Sequence, residues 1–187
     1  MDAMHKDSAL IVIDLQRGAF DGVRWAAISE PQRLLGNALA LLSAARSVSS
    51  PVIFVRHCAG AGDVFEEGAI HGELHESLAP RSTETVLKKY ASSAFENTDL
   101  QATLNALGVK ALVVCGLQSE FCVTNTVKSA LGLGFGVVVA SDAHSTWPSG
   151  EKSASGISAA VNDSLQIAGA TLRSTAEIVR SLRETRT

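Results

Sequence analysis

No charge of one sign dominates this chain: 16 Lys and Arg stand against 19 Asp and Glu, a formal net charge of -3 over 187 residues. A phosphate backbone is held by clustered positive charge, so this balance argues against a nucleic-acid partner. Long hydrophobic runs are also missing near the N-terminus, where Ala9 to Ile13 stops at Asp14 after five residues. That is too short for a secretory core or a membrane span, so a soluble cytoplasmic protein with no membrane partner is expected. Cysteine is scarce. Cys58, Cys115 and Cys122 form an odd, widely spaced set of three, a poor disulfide framework that fits a reducing compartment and free thiols. Repeats, low-complexity tracts and linkers are absent, and 1–187 reads as a single domain able to bury its own core.

What is present is 46% hydrophobic residues in short runs. "ALIVID" from Ala9, "PVIFVRH" from Pro51, "TVLK" from Thr85, "ALVVCGL" from Ala111, "GVVVASD" from Gly136 and a weaker "ATLR" near 170 have the look of buried parallel strands. Between them the period becomes helical. Ser29 with Gln32, Thr98 with Gln101 and Ser174 with Glu177 have capping-box spacing. Leu34, Leu35, Ala38, Leu39, Leu42 and Ala45 form one apolar stripe, and Leu100, Leu104 and Leu107 another. Alternating strands and helices predict a three-layer α/β/α fold around a mostly parallel sheet of about six strands, Rossmann-like in topology. Residues 58–82, rich in Gly, Glu and His, read as a long irregular excursion that is functional or mobile.

In such a sheet, ligands bind beyond the carboxyl ends of the strands. Asp14 closes the first strand, Arg56 and His57 the second, and Lys88 and Lys89 the third; "GLQSEFC" follows the fourth, and Asp142 and His144 the fifth. With Ser119 as helix cap, Cys122 would stand in the first turn, where unpaired N–H groups and the macrodipole lower a thiol's pKa and could hold an oxyanion. A nearby carboxylate could take the thiol proton, and an ammonium could hold both anions.

"ALIVIDLQRGAF", "KKYASSAFENTDL" and "VVCGLQSEFCVTNTVKSALGLGFGVVVASDAHST", in that order and spacing, resemble the isochorismatase-like cysteine hydrolases over about residues 9 to 178. The resemblance implies Asp14 as proton acceptor, Cys122 as nucleophile and Lys89 as the triad lysine, since that lysine lies six residues before the Phe that is Phe95 here. It also implies a cis peptide between Leu117 and Gln118, with an oxyanion site made by the Gln118 and Cys122 N–H groups. The chain departs from nicotinamidases of that family in having "VRHCAG" where they carry a metal-binding Asp-x-His, which argues against a required metal or other cofactor and against nicotinamide. Only Asn162 of "AAVND" matches the family's late helix, and that helix receives no role.

The wall of the expected pocket is drawn from Phe20, Trp25, Arg56, His57, Phe95, Gln118, Phe121, His144 and Trp147, a set suited to a flat or partly apolar acyl group, with Arg56 and His57 able to pair with an anionic substituent. Asp142 and His144 could equally cap and close the fifth strand. Cys115 reads as core. His71 and His75 have i, i+4 spacing but no third metal ligand nearby, and "GLGFG" precedes a strand, so it reads as a helix end and loop instead of a phosphate turn. The leading expectation is a cysteine hydrolase cleaving the C–N bond of a small amide or carbamoyl substrate through a thioester on Cys122. The alternatives are enol-ether hydrolysis of the isochorismatase type, or a non-catalytic binding protein on the same fold. The 58–82 excursion and exposed apolar positions add the expectation of a homo-oligomer, dimer or higher.

Overall fold

A computed structural model describes residues 7–184; residues 1–6 and 185–187, including the ends of the expected 1–187 domain, lie outside the described residues. Six strands form one sheet: β1 (Ser8–Ile13), β2 (Val52–His57), β3 (Thr85–Lys89), β4 (Ala111–Leu117), β5 (Gly136–Ser145) and β6 (Thr171–Arg173). Their order is β3-β2-β1-β4-β5-β6, and every pairing is parallel. β1 is therefore central and buried along its whole length, which is why its run is apolar without alternation.

The helices are α1 (Pro31–Ser47), α2 (Leu100–Ala106), α3 (Thr124–Gly132), α4 (Ala154–Ile167) and α5 (Thr175–Glu184). Alternate residues of β1 divide between two cores. Leu10 and Val12 join Leu34, Ala38, Leu41 and Leu42 of α1 and Ile178 of α5. Ile11 and Ile13 join Leu100 and Leu104 of α2, Val127 of α3 and Val161 of α4. The result is the expected three-layer α/β/α sandwich. No helix among the described residues is long and apolar enough to cross a membrane.

Helix starts differ from expectation in two of three cases. Ser174 and Glu177 form the full box: Ser174 N–H donates to Glu177 Oε2 at 2.8 Å and Glu177 N–H to Ser174 Oγ at 3.3 Å. Ser29 does not cap α1, because Glu30, at φ 51°, and Pro31 at the first helical position take over the entry; Pro needs no N–H partner there. At α2 the cap position is Asp99, although Thr98 Oγ1 accepts from Leu100 N–H at 3.3 Å.

The 58–82 excursion is an ordered path with 3-10 turns at Ile70–Gly72 and Glu76–Leu78. Leu74 bridges to Gln16, and Ala59 to Glu66. His71 and His75 fall in separate turns and do not share a helix face; His71 Nδ1 contacts Asp21 Oδ2 at 2.7 Å, while His75 Nδ1 accepts from Ser77 N–H. "GLGFG" ends α3 and leads into β5.

Candidate active site

The carboxyl ends of β1, β2, β3 and β4 bring four polar side chains together. Asp14 follows β1 at φ 51°. Its N–H donates to Val55 O at 2.9 Å, while its carbonyl accepts from Gln16 N–H at 2.8 Å. A left-handed non-glycine residue costs about 1 kcal/mol or more, least for Asp and Asn. The carboxyl is left 1% exposed. On β3, successive side chains face opposite sides, so Lys88 reaches the surface and pairs with Glu67 at 2.7 Å, whereas Lys89 is turned inward and fully buried.

β4 approaches β1 where Asp14 emerges, and glycine makes that approach possible. Gly116 has φ +131°, and a Cβ there would come 2.0 Å from Ile13 O. The following peptide, Leu117–Gln118, is cis. Ser119–Val123 then forms a single π-helical turn before α3. Phe121 and Val123 N–H both donate to Gln118 O, at 3.2 and 3.1 Å. Ser119 lies inside this turn and caps nothing; its hydroxyl is engaged by His144 instead. Cys122 is thus presented by a π turn, not by the first turn of an α-helix.

Lys89 Nζ lies among four partners. It donates to Cys122 Sγ at 3.1 Å, to His57 Nδ1 at 3.1 Å and to Ala91 O at 3.2 Å, and it stands 2.8 Å from Asp14 Oδ2. An ammonium has three protons, shared here among the four partners, and the shortest contact is the charge pair with Asp14.

Burial raises the Asp14 carboxyl above its ordinary pKa, against the pull of Lys89. Burial alone would lower Lys89, but Asp14 and Cys122 outweigh it and the ammonium is held. Burial, with the Asp14 charge, pushes the Cys122 thiol up to about 11 while Lys89 opposes. The expected depression of the thiol is therefore reversed: desolvation outweighs the ammonium. The resting nucleophile is thus a thiol, beside the Asp14 carboxyl group.

Asp14, His57 and Cys122 bring atoms of metal-ligating type within 4.8 Å of one another. Lys89 Nζ contacts all three residues, and a divalent cation would be repelled by that ammonium. The donor set suits a proton-transfer site better than a metal.

The remaining expected wall residues separate. Trp25 and Trp147 meet edge to face at 5.6 Å, with Trp147 Nε1 donating to Ala26 O. Phe20 meets His75 at 4.9 Å. Phe121 is exposed on the π turn. Phe95 packs with Cys122 against the α2, α3 and α4 core and meets Phe135 at 6.0 Å. Gln118 Nε2 reaches Thr146 Oγ1 at 3.4 Å. Arg56 is not free for an anionic substituent, because Glu73 takes its two terminal nitrogens at 2.8 and 3.0 Å.

His144 is a correction, being 3% exposed with both ring nitrogens engaged inside the protein. Nδ1 meets Ser119 Oγ at 2.8 Å and Nε2 meets Asn162 Oδ1 at 3.0 Å. Asn162 in turn donates to Ser141 O at 3.1 Å. The helix that received no role thus buttresses the π turn through His144. Asp142 and His144 also lie within β5, which runs on to Ser145 and shifts register between its pairings at Val139 and His144. Asp142 Oδ1 accepts from Thr175 N–H and Oγ1, both at 2.7 Å, and so serves the start of α5. The sequence reading passed over Ala91, whose carbonyl accepts from Lys89, Ser92, whose Oγ donates to Cys122 Sγ at 3.9 Å, and Gln16. Gln16 is fully buried and holds His57 by its main chain.

The Isochorismatase domain profile matches residues 8–177. The chain belongs to the isochorismatase family. It is 37% identical over 139 residues to a streptothricin hydrolase of Streptomyces noursei, covering 74% of this chain and 50% of that protein. It thus spans about half the length of that relative. It is 29% identical over 160 residues to Nicotinamidase 3 of Arabidopsis thaliana, covering 78% of this chain and 77% of the other. Among solved structures, an isochorismatase from Pseudomonas putida KT2440 superposes with a TM-score of 0.85 at 30% identity, over 92% of this chain and 90% of that one. This isochorismatase-family chain is a hydrolase with the family's three-layer fold.

Proposed function

We propose that the protein hydrolyses the C–N bond of a small amide or carbamoyl compound through a thioester on Cys122. The observation that carries this reading is the Lys89 ammonium at 3.1 Å from Cys122 Sγ and 2.8 Å from Asp14 Oδ2, which ties acid and thiol into one buried cluster. As Sγ attacks the carbonyl carbon, Asp14 takes the thiol proton; a carboxylate raised by burial is a better match to that task than an exposed one. Lys89 stabilises the sulfur as charge develops on it. When the C–N bond breaks, Asp14 returns the proton to the leaving nitrogen and regenerates its carboxylate. Water then attacks the thioester with Asp14 again as base, releasing the acid and the Cys122 thiol. The Gln118 and Cys122 N–H groups are the proposed holders of the carbonyl oxygen. A nicotinamidase and a streptothricin hydrolase among the relatives support hydrolytic chemistry of this class.

The test is a screen of primary amides, carbamoyl amino acids and isochorismate with wild-type protein and Cys122→Ala, with intact-mass detection of acyl-protein. Amide turnover with an acyl mass on Cys122, both lost in Cys122→Ala, is the expected result. Turnover that survives Cys122→Ala would overturn the thioester and point to hydrolysis without an acyl intermediate, as for an enol ether.

A further inference from the structure

We propose that His144 is a positioning residue for the π turn: its Nδ1 accepts the Ser119 hydroxyl proton and so fixes the turn in the orientation that aims the Cys122 N–H at a substrate carbonyl oxygen. The proposal rests on the thioester reading and gives a part in it to a buried chain of side chains that never meets the substrate.

The chain has one direction, and a main-chain carbonyl sets it. Asn162 Nδ2 donates to Ser141 O at 3.1 Å, which leaves Asn162 Oδ1 facing His144 Nε2 at 3.0 Å. An amide oxygen only accepts, so Nε2 carries the ring proton. In the neutral ring Nδ1 is then an acceptor, and Ser119 Oγ, 2.8 Å away, gives it its single proton. Ser119 Oγ in turn accepts from Ser158 Oγ at 2.9 Å. The π turn is thereby tied at one residue to β5 and α4 together. Within the turn, Phe121 and Val123 N–H, which flank Cys122, both donate to Gln118 O. Rotation of the turn at Ser119 would carry the N–H between them out of line.

The surroundings of His144 are built for this. It stands in register with Gly116 on β4, beside the strand end from which the turn emerges. Ser158 and Asn162 lie four residues apart on α4 and so share the face turned toward the ring. Burial, with Arg33 of α1 acting the same way, lowers the His144 pKa against the Asn162 bond and the Asp142 charge of β5, so the neutral ring is favoured. Glu120 makes a second link from the turn to the end of β5, accepting from Thr146 Oγ1 at 2.9 Å. Hydroxyl, imidazole and amide in this order resemble a nucleophilic triad. Ser119 is fully buried, however, so no substrate reaches its oxygen. Its proton serves position alone.

Two reactions of the same sulfur separate this role from simple support of the fold. Acetylation by p-nitrophenyl acetate passes through an oxyanion, and alkylation by iodoacetamide does not. Acetylation is read as the nitrophenol burst and as acetyl mass on Cys122, alkylation as mass gained on Cys122, with Cys122→Ala as background and thermal denaturation as the folding check. Ser119→Ala removes the donor, His144→Leu removes the acceptor, and His144→Asn keeps an amide oxygen near the position of Nδ1. Acetylation by Ser119→Ala and His144→Leu should fall at least about tenfold, a part of what a whole oxyanion donor contributes. Alkylation should stay within about threefold in both, His144→Asn should acetylate within about threefold of wild type, and the half-saturating ester concentration should change little. Wild-type acetylation in Ser119→Ala or His144→Leu, an equal loss of both reactions, or a His144→Asn no faster than His144→Leu would overturn the proposal and leave the thioester reading intact. A wild-type protein that is alkylated but never acetylated on Cys122 would overturn that reading, and the proposal with it. Independently of any acyl donor, nitrogen-15 NMR of the His144 ring should show an Nε2–H tautomer at pH 7.5. An Nδ1–H tautomer, or an imidazolium, would refute the role even if a variant fails to fold.

Discussion

Replacing Lys89 by Met removes, among the described residues, the only cation paired with the Asp14 carboxyl, which is 1% exposed. The ceiling on the resulting penalty follows from Asp14 itself. A buried carboxylate that cannot be tolerated will protonate, and the unfolded chain ionises near the ordinary value of 3.8. Holding that proton in the folded state at pH 7 costs at most about 4 kcal/mol, and at pH 5 about 1.5 kcal/mol, at 1.36 kcal/mol per unit. The figure agrees with the roughly 3–5 kcal/mol measured when one partner of a buried ion pair is deleted. The sign is definite. Burial raises the folded carboxyl above its unfolded value, so between the two pKa values the folded state binds more protons, and Lys89→Met regains stability as pH falls. Combining Lys89→Met with Asp14→Asn removes the charge altogether and should recover most of the loss at pH 7 without recovering activity. Urea denaturation followed by circular dichroism at pH 7 and pH 5 measures all three variants. The reasoning is refuted if Lys89→Met loses less than about 1 kcal/mol at pH 7, if its loss does not shrink at pH 5, or if the double variant loses the sum of the two singles.

Iodoacetamide labelling of Cys122 in the free enzyme should keep accelerating above pH 9, because burial has pushed the thiol to about 11; a plateau reached by pH 8 would show a thiolate that the structure does not support. Asp14→Asn should lower kcat on an amide by about 100-fold or more with KM nearly constant, since it removes the proton acceptor and keeps the shape; steady-state kinetics decide this, and a change confined to KM would count against the base role. Glu84 grips Arg46 through two 2.7 Å bonds and is held below its ordinary carboxyl pKa by that guanidinium. Glu84→Gln should therefore cost about 1.5–3 kcal/mol at neutral pH. That cost should vanish as pH drops through the folded pKa of Glu84, where the wild-type carboxyl also becomes neutral; chemical denaturation at neutral and acid pH tests it.

All six strands were legible as short apolar runs; β1 and β4, at the middle of the sheet, are buried on both faces, while the edge strands β3 and β6 are partly exposed and β6 was the weakest signal. Helix entries were less so. Ser174 and Glu177 close their box, but the same spacing at Ser29 is overruled by Glu30 and Pro31. The π turn left no local mark, since contacts distant in sequence support it: Ser119 with His144 and with Ser158, both across the site. Asp14, Lys89 and Cys122 were found through motif spacing, and the structure brings them together. The thiol's pKa was read with the wrong sign, because a helix end is visible in sequence and the depth of burial is not. His57 and His144 were both taken for pocket walls. Which ring nitrogen meets which partner decides their parts, and no sequence pattern carries that information.

Gly116 gives the site its gauge. Because a methyl group there would collide with Ile13 O, the close approach of the main chains from which Asp14 and the Cys122 turn emerge is set by the backbone. Trp25, Phe20 and Trp147 hang on connecting segments and could be exchanged, lengthened or shortened while that approach stays fixed. On the proposed thioester route, adaptation to a new acyl group can therefore work on the loops with the Asp14–Lys89–Cys122 cluster left as it is. The reverse does not hold: Gly116→Ala changes no charge, no hydrogen-bonding side chain and no loop, yet it inserts a shim between the two strands that carry the chemistry.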